Sequence, residues 1–314
     1  MLFMSANIGE IIREIRKVRK MTQEQLAKNI CSRREIIRIE RGQHEPSPHL
    51  ITSLSQKLNF DLQSCYLKLT FGTSLESYTL KLSLYSAIEN QDISSIIDLI
   101  SKVEALDEFK EGENLQLLYY AKALYYSSFK NNFDASNTYC LLGIQVDNAR
   151  FSLETMDLRN LSHESYVLLN ILGYNYMHLE KYNIACKIYE ELLNILRTYP
   201  ILSYNPYYKY SDSDRSLFQI ICLNLSTVKY KIQNFAEALN FITEGIDFAL
   251  KQHSLKLLPQ MLIKKFCILC NLTRFEEAKI IYTECYYLLK LTSEENLLWE
   301  LKDNYKRFFI DSKN

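Results

Sequence analysis

Glycine and proline are scarce, seven and five in 314 residues. So few punctuating residues leave little room for the tight turns of a many-stranded β protein. Apolar residues instead recur at three and four spacing through most of the chain, which predicts helices. Net charge is missing as well: 37 basic residues face 37 acidic ones, so whole-chain electrostatics point to neither a nucleic acid nor a membrane. No stretch approaches the roughly 18 apolar residues of a membrane span, and the opening MLFMSANIGEII has no cationic segment ahead of a continuous apolar run. A cytoplasmic protein without membrane contact is expected. The eight cysteines do not read as a secreted disulfide frame; several, such as Cys186 and Cys222, fall inside amphipathic patterns and are expected to be small core residues in a reducing compartment. Cys267 and Cys270 form a C-x-x-C in the middle of a helical pattern, with no second pair or histidine at zinc spacing, so neither metal nor redox work is expected there. Five scattered histidines, without a nucleophile and base constellation or a phosphate loop, predict no enzyme and no cofactor.

What the chain does have is length for two domains, a 47% hydrophobic composition sufficient for buried cores, and an uneven distribution of charge. From Met1 to Thr70 there are twelve Lys/Arg against seven Asp/Glu, an excess of five that the rest of the chain cancels. Such asymmetry suits a nucleic-acid-binding module attached to something else.

The basic segment is dense in helix-starting signals. Ile8, Ile11, Ile12, Ile15 and Val18 form the apolar stripe of a first helix. Thr22-x-x-Gln25 is a capping box that starts a second helix at about Gln23, with Leu26, Ala27 and Ile30 inward. Ser32-x-x-Glu35 repeats the device, Ile36 and Ile39 bury the third helix, and Gly42 stops it in the left-handed position. Ser47-Pro48 then starts a further helix through Leu50, Leu54 and Leu58. Short helices joined by almost no linker form a helix-turn-helix domain over 1–66. In that architecture the start of the second helix of the motif meets base edges in the major groove. Ser32, Arg33, Arg34, Ile37 and Arg38 occupy that place, and an arginine paired to guanine O6 and N7 contributes about 1–3 kcal/mol of discrimination. Gln23, Arg41 and Gln43 are placed to donate to phosphates.

Beyond a linker helix over 67–76, helix pairs recur across 77–314. LLNILGYNYMHLEKYNIACKIYEELLNI carries Leu172, Gly173, Tyr176, Tyr182, Ala185 and Tyr189 at the spacing of a tetratricopeptide (TPR) repeat. The turn markers Ile93, Phe133, Tyr182, Phe235 and Phe275 imply five helix pairs, with a closing helix around Trp299 to Phe309 and a long polar and aromatic loop at 199–215. The expected fold is thus all-α: a helix-turn-helix domain followed by a TPR-like right-handed α-solenoid. The first helices of the pairs line the concave side of such a solenoid, an extended surface suited to a peptide. The repeat register puts Lys122, Tyr125, Asn170, Tyr174, His178, Asn224, Thr227, Lys231, Lys264 and Asn271 there. Asparagines on successive repeats can clamp an extended backbone, and lysines beside them can hold a terminal carboxylate or an acidic side chain.

The pattern TQEQLA…SRREIIRIERG…PS resembles the phage-repressor class of helix-turn-helix, although the turn NIC is shorter and lacks that class's usual glycine. That shorter turn and the repeats resemble the PlcR-like group of the family named for Rap, Rgg, NprR, PlcR and PrgX, over nearly the whole chain. The resemblance implies a peptide-sensing, quorum-sensing-type transcription regulator, a homodimer on a palindromic double-stranded DNA operator, with a short signalling peptide held by repeat asparagines, here matched best by Asn170 and Asn224. Two alternatives remain at this level: a TPR protein-interaction scaffold, and a ligand-independent repressor that uses the repeats only to dimerise.

Overall fold

The structure, a computed structural model, describes residues 7–63, 65–66, 75–90, 92–199 and 216–311. Nearly all of the segment 67–76 and of the loop 199–215 therefore lies outside the described residues. Within them the chain forms fifteen α-helices and no strand, and no helix is long and apolar enough to cross a membrane. Two compact units emerge, Met1–Ser83 and Leu84–Asn314.

In the first unit α1 spans Ile8–Val18, α2 Gln23–Ala27, α3 Arg33–Glu40 and α4 Pro48–Leu58. Every start is set by a side chain that satisfies an orphaned backbone N–H. Asn7 accepts from Glu10, Thr22 from Gln25 with the reciprocal Gln25 contact complete, Ser32 from Glu35, and Ser47 from Leu50 with proline at the first turn. At Ser32 only half of the expected capping box forms, because the Glu35 carboxylate turns instead towards His44, 3.8 Å away. Gly42 ends α3 at φ +67° as expected, and Asn29 takes the left-handed position in the α2–α3 turn at φ +65°, the residue type that tolerates this best after glycine. The core is Ile8, Ile12, Leu26, Ala27, Ile36, Ile39, Leu50, Ile51, Leu54 and Leu58. Val18, placed on the inner stripe of α1 by its spacing, is instead 77% exposed, since the helix ends on it and leaves the core behind.

The remaining helices are α5 (Leu75–Glu89), α6 (Ile93–Val103), α7 (Gly112–Leu124), α8 (Phe133–Asp147), α9 (His163–His178), α10 (Tyr182–Thr198), α11 (Leu217–Lys231), α12 (Phe235–Lys251), α13 (Leu258–Asn271), α14 (Phe275–Thr292) and α15 (Glu295–Phe309). Each of the five markers read from the sequence is the first residue of a second helix: Ile93, Phe133, Tyr182, Phe235 and Phe275 open α6, α8, α10, α12 and α14. Ile93 and Phe275 are nonetheless 42% and 41% exposed, so at those two turns the marker opens the helix without filling the gap between the pair. The pairs α7/α8, α9/α10, α11/α12 and α13/α14 pack closely, and α7, α9, α11 and α13 touch in succession. Close approach within α9/α10 depends on Gly173: a Cβ there would stand 2.7 Å from the ring of Tyr189, which is fully buried. Leu172 and Ala185 are fully buried beside it, as are Ala238, Ile242 and Ala278 at the equivalent places of later pairs. At the C-terminal end α15 closes the array by stacking Tyr305 and Phe309 on Phe266, with centroids 6.4 and 6.3 Å apart, while Trp299 stays 69% exposed. Cys31, Cys140, Cys186, Cys222, Cys267, Cys270 and Cys285 are free thiols, with Cys186 and Cys222 buried in the core as expected. Cys267 and Cys270 are buried on α13, and burial pushes their thiols up to about 11 and about 12, which keeps them protonated and unreactive at neutral pH.

Candidate functional site

Helix α3 carries two opposed faces. Ile36, Ile39 and Glu40 are buried, whereas Arg33, Arg34, Arg38 and Arg41 are exposed. The buried carboxylate of Glu40 holds the unit's shape. It accepts from Arg16 Nε at 2.6 Å and Nη2 at 2.9 Å, and from Gln23 Nε2 at 2.8 Å, while Arg16 Nη1 donates to the Met21 carbonyl at 2.8 Å. One acid thereby ties α1, α2 and the end of α3 together. Burial opposes its ionisation, but the hydrogen bonds from Arg16 and Gln23 outweigh burial and hold the Glu40 carboxyl below its usual range.

Gln23, expected to donate to a phosphate, is half-buried and gives one Nε2 hydrogen to Glu40 at 2.8 Å. Ser32 and Gln43 are exposed and Ile37 is half-buried. The side chains of Arg33, Arg34, Arg38 and Arg41 make no hydrogen bond or ion pair among the described residues. Arg34, Arg38 and Arg41 succeed one another at four and three spacing, so they form one stripe along the helix. Two cations in the first turn oppose the helix dipole, at a cost of about 0.3–1 kcal/mol each. With no partner among the described residues, that stripe can neutralise an external polyanion or pair with base edges.

In the second unit the ten residues expected to line the groove share a register. They lie four, eight, or eleven to twelve residues before the first residue of the following helix: His178, Lys231 and Asn271; Tyr125, Tyr174 and Thr227; Lys122, Asn170, Asn224 and Lys264. Those offsets put them on one face of α7, α9, α11 and α13 and of the π-helical turn Tyr125–Phe129 that ends α7. Asn170 and Asn224 meet directly, Asn224 Nδ2 donating to Asn170 Oδ1 at 2.9 Å, and Asn224 also lies in hydrogen-bonding contact with the Tyr189 hydroxyl beneath it. The bond between the asparagines joins two successive pairs.

The rest of the face is partly engaged already. The Thr227 hydroxyl donates to the Leu223 carbonyl at 2.8 Å, and Asn271 Nδ2 donates to the Tyr230 hydroxyl at 2.9 Å and the Cys267 carbonyl at 2.8 Å. Lys122 is ion-paired with Glu104 and lies over the Tyr139 ring. His178 stacks on Phe133 and lies 4.3 Å from Tyr174, and burial, with Lys231 adding, holds its pKa below the ordinary value. Beneath the face, fully buried Asn175 accepts from Ser127 Oγ at 2.6 Å and donates to Ser136 Oγ at 2.8 Å and Asn137 Oδ1 at 2.9 Å. Sequence reasoning missed this network and the Glu40 clamp. In both cases a signal existed: a polar residue interrupting the buried side of a helix requires a partner.

The two units thus make a helix-turn-helix module joined to a TPR-like helical array. Residues 12–64 match the helix-turn-helix family. The fold of nearly the whole chain is shared with solved structures of the Rap/Rgg/NprR/PlcR/PrgX class. PlcR of Bacillus thuringiensis, in complex with the peptide PapR7 and DNA, superposes with a TM-score of 0.70 at 17% identity, over 94% of this chain and 98% of that one. Rgg2 of Streptococcus dysgalactiae, an SHP pheromone receptor, gives 0.52 at 15% identity, over 96% and 99%. The PrgX/iCF10 complex gives 0.51 at 14%, over 98% and 97%. These are likenesses of fold. Comparison by sequence with curated proteins gives no match.

Proposed function

We propose that this chain is a peptide-responsive transcription regulator. Residues 1–66 bind double-stranded DNA, with Arg33, Arg34, Arg38, Ser32 and Ile37 facing bases and Arg41 and Gln43 the backbone. Residues 77–314 bind a short signalling peptide along the face lined by Asn170, Tyr174, Asn224 and Thr227, and pair two copies on a palindromic operator. No chemistry is catalysed; the ligand acts by binding one dimer arrangement more tightly than another and so shifting their populations. Such a protein works in the cytoplasm, where DNA and an imported peptide meet. The observation that carries this reading is the exposed arginine face of α3: Arg33 and the stripe Arg34, Arg38 and Arg41, with no ion pair among the described residues, on a helix whose opposite side is locked by Glu40. Supporting it by fold alone is PlcR, whose structure holds both a peptide and DNA.

The test is selection of bound duplexes from a randomised DNA library by the full-length protein, followed by anisotropy titrations on the selected sequence. A palindromic consensus bound far more tightly than scrambled duplex is expected, with specific binding lost in the Arg33→Ala/Arg34→Ala variant at unchanged helicity. Enrichment of no sequence, or a double variant that binds as before, overturns the reading.

A further inference from the structure

The basic side chains on and around this face fall into two groups. Lys122 is neutralised by Glu104, and half-buried Lys229 is held between Glu190 and Glu237 at 2.7 and 2.6 Å. His178 at the end of α9, Lys231 at the end of α11 and Lys264 in α13 have no carboxylate within 4.0 Å among the described residues. Lys231 is close enough to interact electrostatically with both His178 and Lys264, so α11 and α13 each contribute a lysine to one positive corner, with the imidazole of His178 from α9 beside it. Arg307 of α15 adds a further cation near Tyr230, and Glu300 is the opposing charge that faces Lys264. Aromatic rings wall the corner. The Lys264 ammonium sits 5.2 Å from the centre of the Tyr230 ring, which Asn271 holds through its hydroxyl, and His178 lies between Phe133 and Tyr174.

A half-buried ammonium resting on a ring, with another lysine beside it and no ion pair, is poorly satisfied by the protein alone. The ring contributes about 0.5–2 kcal/mol, whereas desolvation and repulsion from Lys231 both act against the charge. An anion seated in the corner offsets both. Resting on the peptide reading above, we propose that the ligand of this face carries a carboxylate, either a free C-terminus or an acidic side chain, seated among His178, Lys231 and Lys264. The bonded pair Asn170 and Asn224 then grips uncharged backbone in the preceding repeats, so charge recognition and backbone recognition are separated along the face. Neutral or basic peptides of the same length are rejected because they leave the lysines unpaired.

The probe is a positional-scanning heptapeptide library, synthesised with free and with amidated C-termini, titrated against the full-length protein by fluorescence polarisation. The expected result is selection for an anionic group, with a loss of about tenfold or more when it is neutralised. Amidation causes that loss if the anion is the C-terminus; replacing Asp or Glu by Asn or Gln causes it if the anion is a side chain. Lys231→Gln and Lys264→Gln should erase the preference, and Lys264→Arg should retain it. Because Lys231 is exposed, its variant tests the proposal even where a Lys264 variant melts early. If neutral, amidated peptides bind as tightly as anionic ones and lose affinity in Asn224→Ala, the proposal falls while the peptide reading stands. If no peptide binds in either form, both fall together.

Discussion

The arginines of α3 and the asparagines of α9 and α11 are two opposite ways of presenting polar groups to a partner. Arg33, Arg34, Arg38 and Arg41 have no ion pair among the described residues and are displayed by a helix fixed from behind, whereas Asn170 and Asn224 are bonded to each other. The first surface is ready for its partner and gives up nothing internal on binding. The second retains only part of its hydrogen-bonding capacity, so a ligand either uses the remaining groups or displaces the bond between repeats. A preformed cationic face gives fast, salt-sensitive association. An interlocked groove couples ligand binding to the relation between neighbouring helix pairs, which is what a sensing element requires.

The sharpest way to break this comparison is to separate the face from its support. Arg16→Ala strands the buried carboxylate of Glu40 and is expected to destabilise the first unit by about 3–5 kcal/mol, visible as a lower denaturation midpoint. Arg33→Ala and Arg34→Ala remove no contact to a described residue; each should leave that midpoint unchanged while weakening binding to the selected duplex by about 1–3 kcal/mol. If the Arg33 and Arg34 variants unfold as readily as Arg16→Ala, the distinction between support and display is wrong.

How much of this was legible in the sequence follows the range of the interactions. Thr22, Ser32, Ser47 and Gly42 act within about one helical turn of themselves, so the helix starts and stops of the first unit could be read from neighbouring residues. The five turn markers were readable for the same reason, each sitting where an apolar period restarts. Arg16 and Glu40 are 24 residues apart, and Asn170 and Asn224 are 54 apart. The sequence named the asparagines singly without showing that they meet, and it gave no link between Gln23 and Glu40 because nothing local reveals that carboxylate across the motif. Lys122 and Lys264 looked alike on paper; Glu104, which caps the C-terminal end of α6, is what separates them.

On the groove side, Gly173→Ala places a methyl group 2.7 Å from the Tyr189 ring. Overpacking of this kind costs about 1–3 kcal/mol, and because α9 carries Asn170, Tyr174 and His178, peptide affinity should fall with it. A smaller effect is expected of Asn224→Ala, which removes one half-buried hydrogen bond and about 0.5–1.5 kcal/mol of stability. Should peptide affinity fall by no more than that stability loss implies, Asn224 is a staple between repeats and not a ligand contact. Calorimetric titration alongside urea melts separates the two.

The smallest effect, and the one that most directly probes the support behind the DNA face, is pH dependence. In the folded chain the Glu40 carboxyl titrates below its ordinary value, the hydrogen bonds from Arg16 and Gln23 outweighing burial. An unfolded glutamate titrates near 4.3, so the native state holds on to the ionised form after the unfolded chain has begun to bind protons. The stability this linkage provides is therefore fully present above the unfolded value and drains away as pH falls through the folded one. Melts of the first unit between neutral and acid pH should show the midpoint falling across the carboxylate range. In Glu40→Gln the plateau should start lower and that part of the slope should disappear, leaving only what the exposed acids contribute. An equally steep acid limb in the variant would mean that the α3 face is braced by packing rather than by this buried ion pair.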